Sequence, residues 1–238
     1  SLDIQYLRTL KFTSEQASTL KTIGEYKGKQ ALYSQQTPEI LESLRQVAMI
    51  ESSESSNRLE GITVPHDRIK QLVLQNTRPK NHSEQEVAGY RDVLALIHES
   101  AKYMPFSVNV ILQCHTMLYR YLPRDGGQWK MTDNQIVETN PDGSIRRVRF
   151  TPVSAVTTPQ AMASLIERYR HAIEQYDIEP LVVIPLTILD FLCIHPFSDG
   201  NGRISRLLTL LLLYHFDYEV GRYISLERIF EESKETYY

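Results

Sequence analysis

The feature that most constrains the fold is a turn, Asp199-Gly200-Asn201-Gly202, set between two apolar helical stretches. Upstream, Pro180 to Ile194 reads as a helix opened by proline. Downstream, Ile204, Leu207, Leu208, Leu211 and Leu212 recur at the spacing of one buried helical face. Helical patterning also dominates elsewhere. Thr37-Pro38-Glu39 joins an N-cap residue to a proline at the first helical position. Ile40, Leu41, Leu44, Val47 and Ala48 then fall on one face of a helix that runs to about Gly61. Further helices are predicted from Ser83 through Met104, Ser107 through Tyr121, and Thr158 through Tyr176, the last again a cap followed by Pro159. With no internal repeat and no low-complexity tract, the expected fold is mainly α, a helical bundle.

One region reads as β. Gln135 to Glu138 and Ile145 to Phe150 flank Asn140-Pro141-Asp142-Gly143, where proline and glycine suit a hairpin turn. Pro152 follows and removes a ladder donor, so the hairpin is expected to project from the bundle rather than join a larger sheet. The serine-rich run Ser52 to Asn57 is flanked by helical pattern and ends at Gly61, and is read as a polar helix face rather than a linker. Leu2 to Tyr33 is only weakly patterned.

A chain of 238 residues allows one large domain or a domain with a helical extension. Lys plus Arg number 26 against 29 Asp plus Glu, a net charge of -3, so no strong overall field draws this chain to nucleic acid or an anionic membrane. The most apolar stretch, Leu181 to Ile194, contains Pro185 and Asp190 and is too short to span a bilayer. Cys114 and Cys193 lie in apolar helical stretches, as reduced core residues would. These features predict a cytoplasmic protein. Glu235-Thr236-Tyr237-Tyr238 reads as the middle of a helix, which implies that more chain follows.

The run His195 to Arg206, HPFSDGNGRISR, carries the chemistry. Glycines let backbone N-H groups approach a ligand, and a helix that starts at once adds its positive dipole end, a combination suited to phosphate. Arg203 and Arg206 lie three apart on that helix. Cations near a helix N-terminus are locally unfavourable by roughly 0.3 to 1 kcal/mol each, so two of them there call for an anion. Asp199 is placed to hold magnesium against polyphosphate. A lone histidine or a lone DGNG turn is usually structural. Packing does not account for histidine, carboxylate, glycines and two arginines within one helix-turn-helix corner.

This run closely resembles the signature of the Fic family, HxFx(D/E)GNGRxxR, with every specified position filled. The resemblance covers about Ser83 to Tyr223. It implies a Fic-fold helical bundle with a β-hairpin flap and the transfer of AMP from ATP to a Ser, Thr or Tyr hydroxyl of a target protein, the chain itself included. On this resemblance His195 is the base that deprotonates the hydroxyl, Asp199 holds magnesium and Phe197 is structural. Gly200, Asn201 and Gly202 cradle the phosphates, Arg203 binds the α/β-phosphate region and Arg206 holds the γ-phosphate. An ordinary histidine titrates near 6.5, which suits a base at neutral pH. Gln128-Trp129-Lys130 and Phe150-Thr151-Pro152 resemble the borders of the flap, about 128–152, which in the family docks a target segment as an added strand. Trp129 is read as a core residue rather than a stacking platform.

Upstream, Ser56-Asn57-Arg58-Leu59-Glu60-Gly61 resembles (S/T)xxxE(G/N), the inhibitory motif of Fic proteins whose inhibitory helix precedes the core. Taken alone, Glu60 would be read as a carboxylate near a solvated helix end. Beside the downstream signature it becomes a partner for Arg206, occupying the guanidinium that the γ-phosphate needs, with Ser56 in the same motif. The implied organisation is an N-terminal helical region, 1–82, carrying an inhibitory helix at about 38–61, followed by a core domain, 83–238. The same residues would also serve a hydrolase that removes AMP with Glu60 orienting water, and other nucleotide-derived groups are transferred within the family. Relatives with this inhibitory helix often carry a winged-helix domain after the core, which this sequence lacks. The remaining histidines, His66, His82, His98, His115, His171 and His215, show no metal-ligand spacing.

Overall fold

The computed structural model describes residues 1–33, 35–140, 142 and 144–233. In chain order its elements are α1 (Ile4–Thr9), α2 (Ser14–Tyr33), α3 (Pro38–Leu59), α4 (His66–Leu74), α5 (His82–Ser100), α6 (Val108–Leu118), β1 (Ile136–Thr139), β2 (Ile145–Phe150), α7 (Thr158–Arg170), α8 (Pro180–Ile194), α9 (Asn201–His215) and α10 (Leu226–Glu232). The fold is mainly α with one small antiparallel hairpin, as expected. The chain divides into two compact units, Ser1–Thr9 with Gln128–Ser205, and Leu10–Gly127 with Arg206–Tyr238. The division falls inside α9.

In the first unit, β1 and β2 pair antiparallel with Ile136 opposite Phe150 and Val137 opposite Val148, and they form a two-stranded sheet by themselves. Asn140 N-H donates to Ser144 O at 2.9 Å and Asp142 accepts from Ser144 N-H at 2.9 Å, so the Asx geometry closes the turn. Pro141 and Gly143 lie outside the described residues. At the base of the hairpin, Ala155 N-H donates to Asp133 at 2.7 Å. The helix predicted to reach Tyr176 ends its α form at Arg170 and continues as a π turn over His171–Gln175.

In the second unit, Ile50 of α3, Ile69 and Leu72 of α4, and Val87 of α5 close a core with Val64. Full burial of such side chains contributes about 1.5–3 kcal/mol each. The sequence reading passed over α4, a nine-residue helix that starts after Pro65 without a side-chain cap.

Helix α3 follows its predicted span but not its predicted packing. Ile40, Leu44 and Val47 remain 43–48% exposed, and of that apolar face Ala48 is the fully covered member. The deeply buried part is instead the serine run, with Ser52, Ser53, Ser55, Ser56 and Asn57 at 0–2% exposure. Small hydroxyl side chains let other helices approach closely and find partners there. Ser52 Oγ meets Ser225 Oγ at 3.0 Å, and Asn57 Nδ2 donates to Ser53 O at 2.7 Å. Two ion pairs also bind α10 to α3, Arg228 to Glu51 and Arg58 to Glu231, both at 2.6 Å.

Both cysteines are free, and burial pushes the Cys114 thiol up to about 12. Among the described residues no helix is long and apolar enough to cross a membrane. Glu235 to Tyr238, expected to be helical, lie outside the described residues.

Candidate active site

The site begins where α8 stops. His195 caps that helix with left-handed backbone, φ 51 and ψ 61, while its N-H still donates to Phe191 O at 2.9 Å. Such a conformation costs a residue with a Cβ roughly 1–2 kcal/mol. Among the described residues the other non-glycine residues at positive φ are Asn76, Asp177 and Asp217, types that tolerate it. His195 turns the chain sharply, so the five residues that follow, Pro196 to Gly200, form a compact loop before α9.

That loop is held from inside. Phe197 is fully buried, with ring centroids 6.4 Å from Phe191 and 5.2 Å from Trp129, which accounts for both aromatic positions as packing. The Asn201 amide braces the loop: Oδ1 accepts from Phe197 N-H at 2.9 Å and Nδ2 donates to Phe197 O at 2.8 Å. The Asn201 side chain therefore helps to shape the loop. Sequence reasoning placed Lys130 at the border of the flap but did not assign it to this loop. Its buried ammonium donates to Ile194 O at 3.1 Å and Asn134 Oδ1 at 2.9 Å, and its N-H donates to Pro196 O at 2.9 Å. Burial holds its pKa below the usual lysine value. A cation on the last carbonyls of α8 favours the negative end of that helix and fixes the loop's entry. The neighbouring GQWK run was the available signal.

At the exit, Gly200 adopts φ 80, and its N-H meets Asp199 Oδ1 at 2.7 Å. Helix α9 starts at once from Asn201, with Ile204 N-H bonded to Gly200 O at 2.9 Å. Asp199 remains about half exposed, and its Oδ2 lies 3.8 Å from Nη2 of Arg203, whose side chain is almost wholly buried. Ile204, Leu207, Leu208, Leu211 and Leu212 are all fully buried, as their spacing predicted. Among the described residues no group of three or more His, Cys, Asp or Glu is arranged to hold a metal. A cation at Asp199 therefore needs oxygens from a ligand, which is the usual arrangement for magnesium on phosphate.

The second unit brings Arg206, Ser56 and Glu60 together. Arg206 is 1% exposed; its Nε donates to Ser56 Oγ at 2.8 Å, and its Nη2 donates to Ser56 O at 2.8 Å and Glu60 Oε1 at 2.7 Å. Glu60 stands there because of how α3 ends. Ile62 N-H bonds Asn57 O at 3.0 Å and Gly61 N-H bonds Arg58 O at 2.9 Å, a Schellman cap with Gly61 at φ 78. The glycine of the motif is thus the residue that lets the helix stop directly after its glutamate.

Residues 105–213 match the Fic/DOC family, a span that includes the whole run from His195 to Arg206 and stops short of Glu60. A Fido domain-containing protein of Dictyostelium discoideum is 32% identical over 73 residues, 31% of this chain and 49% of its own length. The ribonucleoside-diphosphate reductase small chain of Ostreid herpesvirus 1 (isolate France) is 35% identical over 77 residues, 29% of this chain and 13% of its own length. The chain thus spans less than half of these curated relatives. The crystal structure of a Fic domain-containing signaling protein from Bacteroides thetaiotaomicron VPI-5482 superposes with a TM-score of 0.73 over 90% of this chain and 79% of that one, at 24% identity, a likeness of fold. With the signature complete and the fold shared, residues 105–213 of this chain are similar to the Fic/DOC family.

Proposed function

We propose that this chain transfers AMP from ATP to a hydroxyl side chain of a protein, and that Glu60 restrains the reaction. The observation that carries this reading is the ion pair of 2.7 Å between Glu60 and Arg206. A buried arginine in the second turn of a helix that opens with a glycine-rich turn suits a phosphate, and here it holds the chain's own carboxylate.

In this reading Asp199 and phosphate oxygens hold magnesium, which neutralises charge on the phosphates. The backbone around Gly200 and Gly202 cradles them, while Arg203 and Arg206, neighbours on α9, take the α/β region and the γ-phosphate. His195 accepts the proton of the target hydroxyl as its oxygen bonds to the α-phosphorus. The bond from that phosphorus to the bridging oxygen breaks and pyrophosphate leaves, so the target gains AMP. Catalysis of this kind depends mostly on positioning and charge stabilisation. The hairpin supports docking of the target as an added strand, because its two strands have no further partner among the described residues and Ile136, Val148 and Phe150 are 37–43% exposed.

Residues 1–82 then act as a regulatory extension with α3 as the inhibitory helix, and 83–238 as the catalytic core. The chain's own hydroxyls are included among its targets, and two free cysteines suit a reducing cytoplasm. The test is incubation with magnesium and ATP labelled on the α-phosphate, using the chain as it stands, Glu60→Gly, and Glu60→Gly with His195→Ala. Label on protein in the single variant alone is the expected result. Absence of label from all three in the presence of candidate targets would contradict it, and Glu60-dependent release of AMP from a modified target would establish removal instead.

A further inference from the structure

Strand β2 carries three arginines within four positions, Arg146, Arg147 and Arg149, and the proposed chemistry uses none of them. A regular strand sends successive side chains to alternate faces. This one departs from alternation twice. Between the pair Ile136 with Phe150 and the pair Val137 with Val148 the inserted residue of β2 is Arg149; between Glu138 with Arg147 and Thr139 with Ile145 it is Arg146. Bulges of this kind re-aim side chains. Both inserted arginines reach the same carboxylate on β1. Arg146 Nη1 donates to Glu138 Oε1 at 3.2 Å and Arg149 Nε lies 3.6 Å from Oε2, while the register sets Arg147 directly opposite Glu138. The two strands thus gather three positive charges about one negative. Asp142, in the turn, is held by the N-H and hydroxyl of Ser144. Arg146 and Arg149 are both more than half exposed. Ion pairs so exposed contribute little, so either arginine can exchange Glu138 for another carboxylate at small cost.

We propose that this arginine cluster selects the target: the segment that docks along the hairpin carries acidic side chains, and Arg146, Arg147 and Arg149 recognise them. This rests on the reading that the hairpin takes a target as an added strand. The bulges disturb the outer edge of β2, whereas β1 holds no inserted residue and is the edge left regular. A strand added to β1 lies about 4.8 Å from it. Arg146 and Arg149 already extend to Glu138 on β1, so carboxylates on the added strand come within reach, and a guanidinium can take one through two parallel bonds. The base of β1 is also tied to the loop that His195 begins, because Asn134 Nδ2 donates to Phe197 O at 3.3 Å. A segment held on β1 therefore passes close to that loop.

Charge at a sheet edge also discourages aggregation, but that role is indifferent to the charge of a docked peptide. The test uses the whole chain with Glu60→Gly and three fluorescently labelled peptides of one valine- and serine-rich sequence, carrying glutamate, glutamine or lysine at alternate positions. Anisotropy without nucleotide is expected to show the glutamate peptide bound about tenfold tighter than the glutamine peptide, with the lysine peptide weakest and the gap closing as salt rises. Arg146→Gln, Arg147→Gln and Arg149→Gln together should abolish the preference, and Arg146→Glu, Arg147→Glu and Arg149→Glu together should invert it. Should the triple variants unfold, Arg147→Gln alone decides the matter, with about a threefold loss of preference expected. Equal affinity for the three peptides, or a glutamate preference that survives loss of the arginines, would overturn the proposal, as would no binding at millimolar peptide. A charge preference without AMP transfer to the peptide would keep the docking surface and fail the transfer reading; AMP transfer regardless of peptide charge would do the reverse.

Discussion

Helices α3 and α8 both end in a residue with left-handed backbone, and they fill that place differently. Helix α3 uses Gly61, the residue that meets φ 78 without steric cost; a Cβ there would meet open space, so conformation alone selects glycine. Helix α8 uses His195 at φ 51, in a turn that glycine or asparagine would occupy with less strain. The first end is what stability asks for, and it delivers Glu60 to Arg206. The second gives up stability to hold an imidazole at the mouth of a glycine-rich turn, and strain of that kind is retained where a side chain is used.

The largest expected effect breaks this contrast at His195. His195→Asn should lower AMP transfer in the Glu60→Gly protein about 10²- to 10⁴-fold and at the same time raise stability by up to about 1 kcal/mol. Transfer assays paired with urea unfolding check both halves. Loss of activity together with loss of stability would mean that the histidine is there for packing.

Acid should act on the unit that carries α3 through His98. Burial, with Arg222 and Arg45 adding to it, lowers His98 from 6.5 to about 4, and its Nδ1 lies 2.9 Å from Tyr214 OH. The unfolded chain takes up that proton first, so this contribution to stability is complete above about pH 6.5 and is lost as pH falls toward 4. The slope approaches about 1.4 kcal/mol per pH unit below the upper limit. Urea midpoints at pH 7, 6 and 5 should fall more steeply for the native chain than for His98→Asn. Trp129, the one tryptophan of the sequence, lies in the other unit, so its fluorescence shows whether acid strikes both together.

The smaller effect tests the glycine end. Gly61→Val should cost about 1–2 kcal/mol in thermal unfolding, loosen the Glu60 contact and raise basal AMP transfer, while Gly61→Asn should stay close to the native chain on both counts. Equal behaviour of the two variants would remove the argument that conformation placed glycine there.

Much of this was legible in the sequence because it depends on near neighbours. The cap at Thr37-Pro38, the buried stripe from Ile204 to Leu212 and the run from His195 to Arg206 are local patterns, and so is the motif that pairs Ser56 with Glu60. What escaped depends on residues far apart along the chain. Ser52 to Asn57 read as polar, yet the run is buried because Ser225 and Arg206, on α10's approach and on α9, supply its partners. Nothing local reveals that the Asn201 amide also brackets the backbone of Phe197. Lys130 and Glu227 are charged residues that composition assigns to the surface, and only the folded chain supplies the acceptors and donors that allow them inside.

We propose that Glu60 and the γ-phosphate compete for Arg206. Affinities for ATP and ADP, compared in the native chain and in the near-isosteric Glu60→Gln variant, test it most directly. The native chain is expected to bind the two nucleotides almost equally, because the γ-phosphate finds its arginine taken. The variant should favour ATP by about tenfold, in line with about 1.4 kcal/mol for one charge-assisted contact. The same ratio of ATP to ADP affinity in both proteins would contradict it.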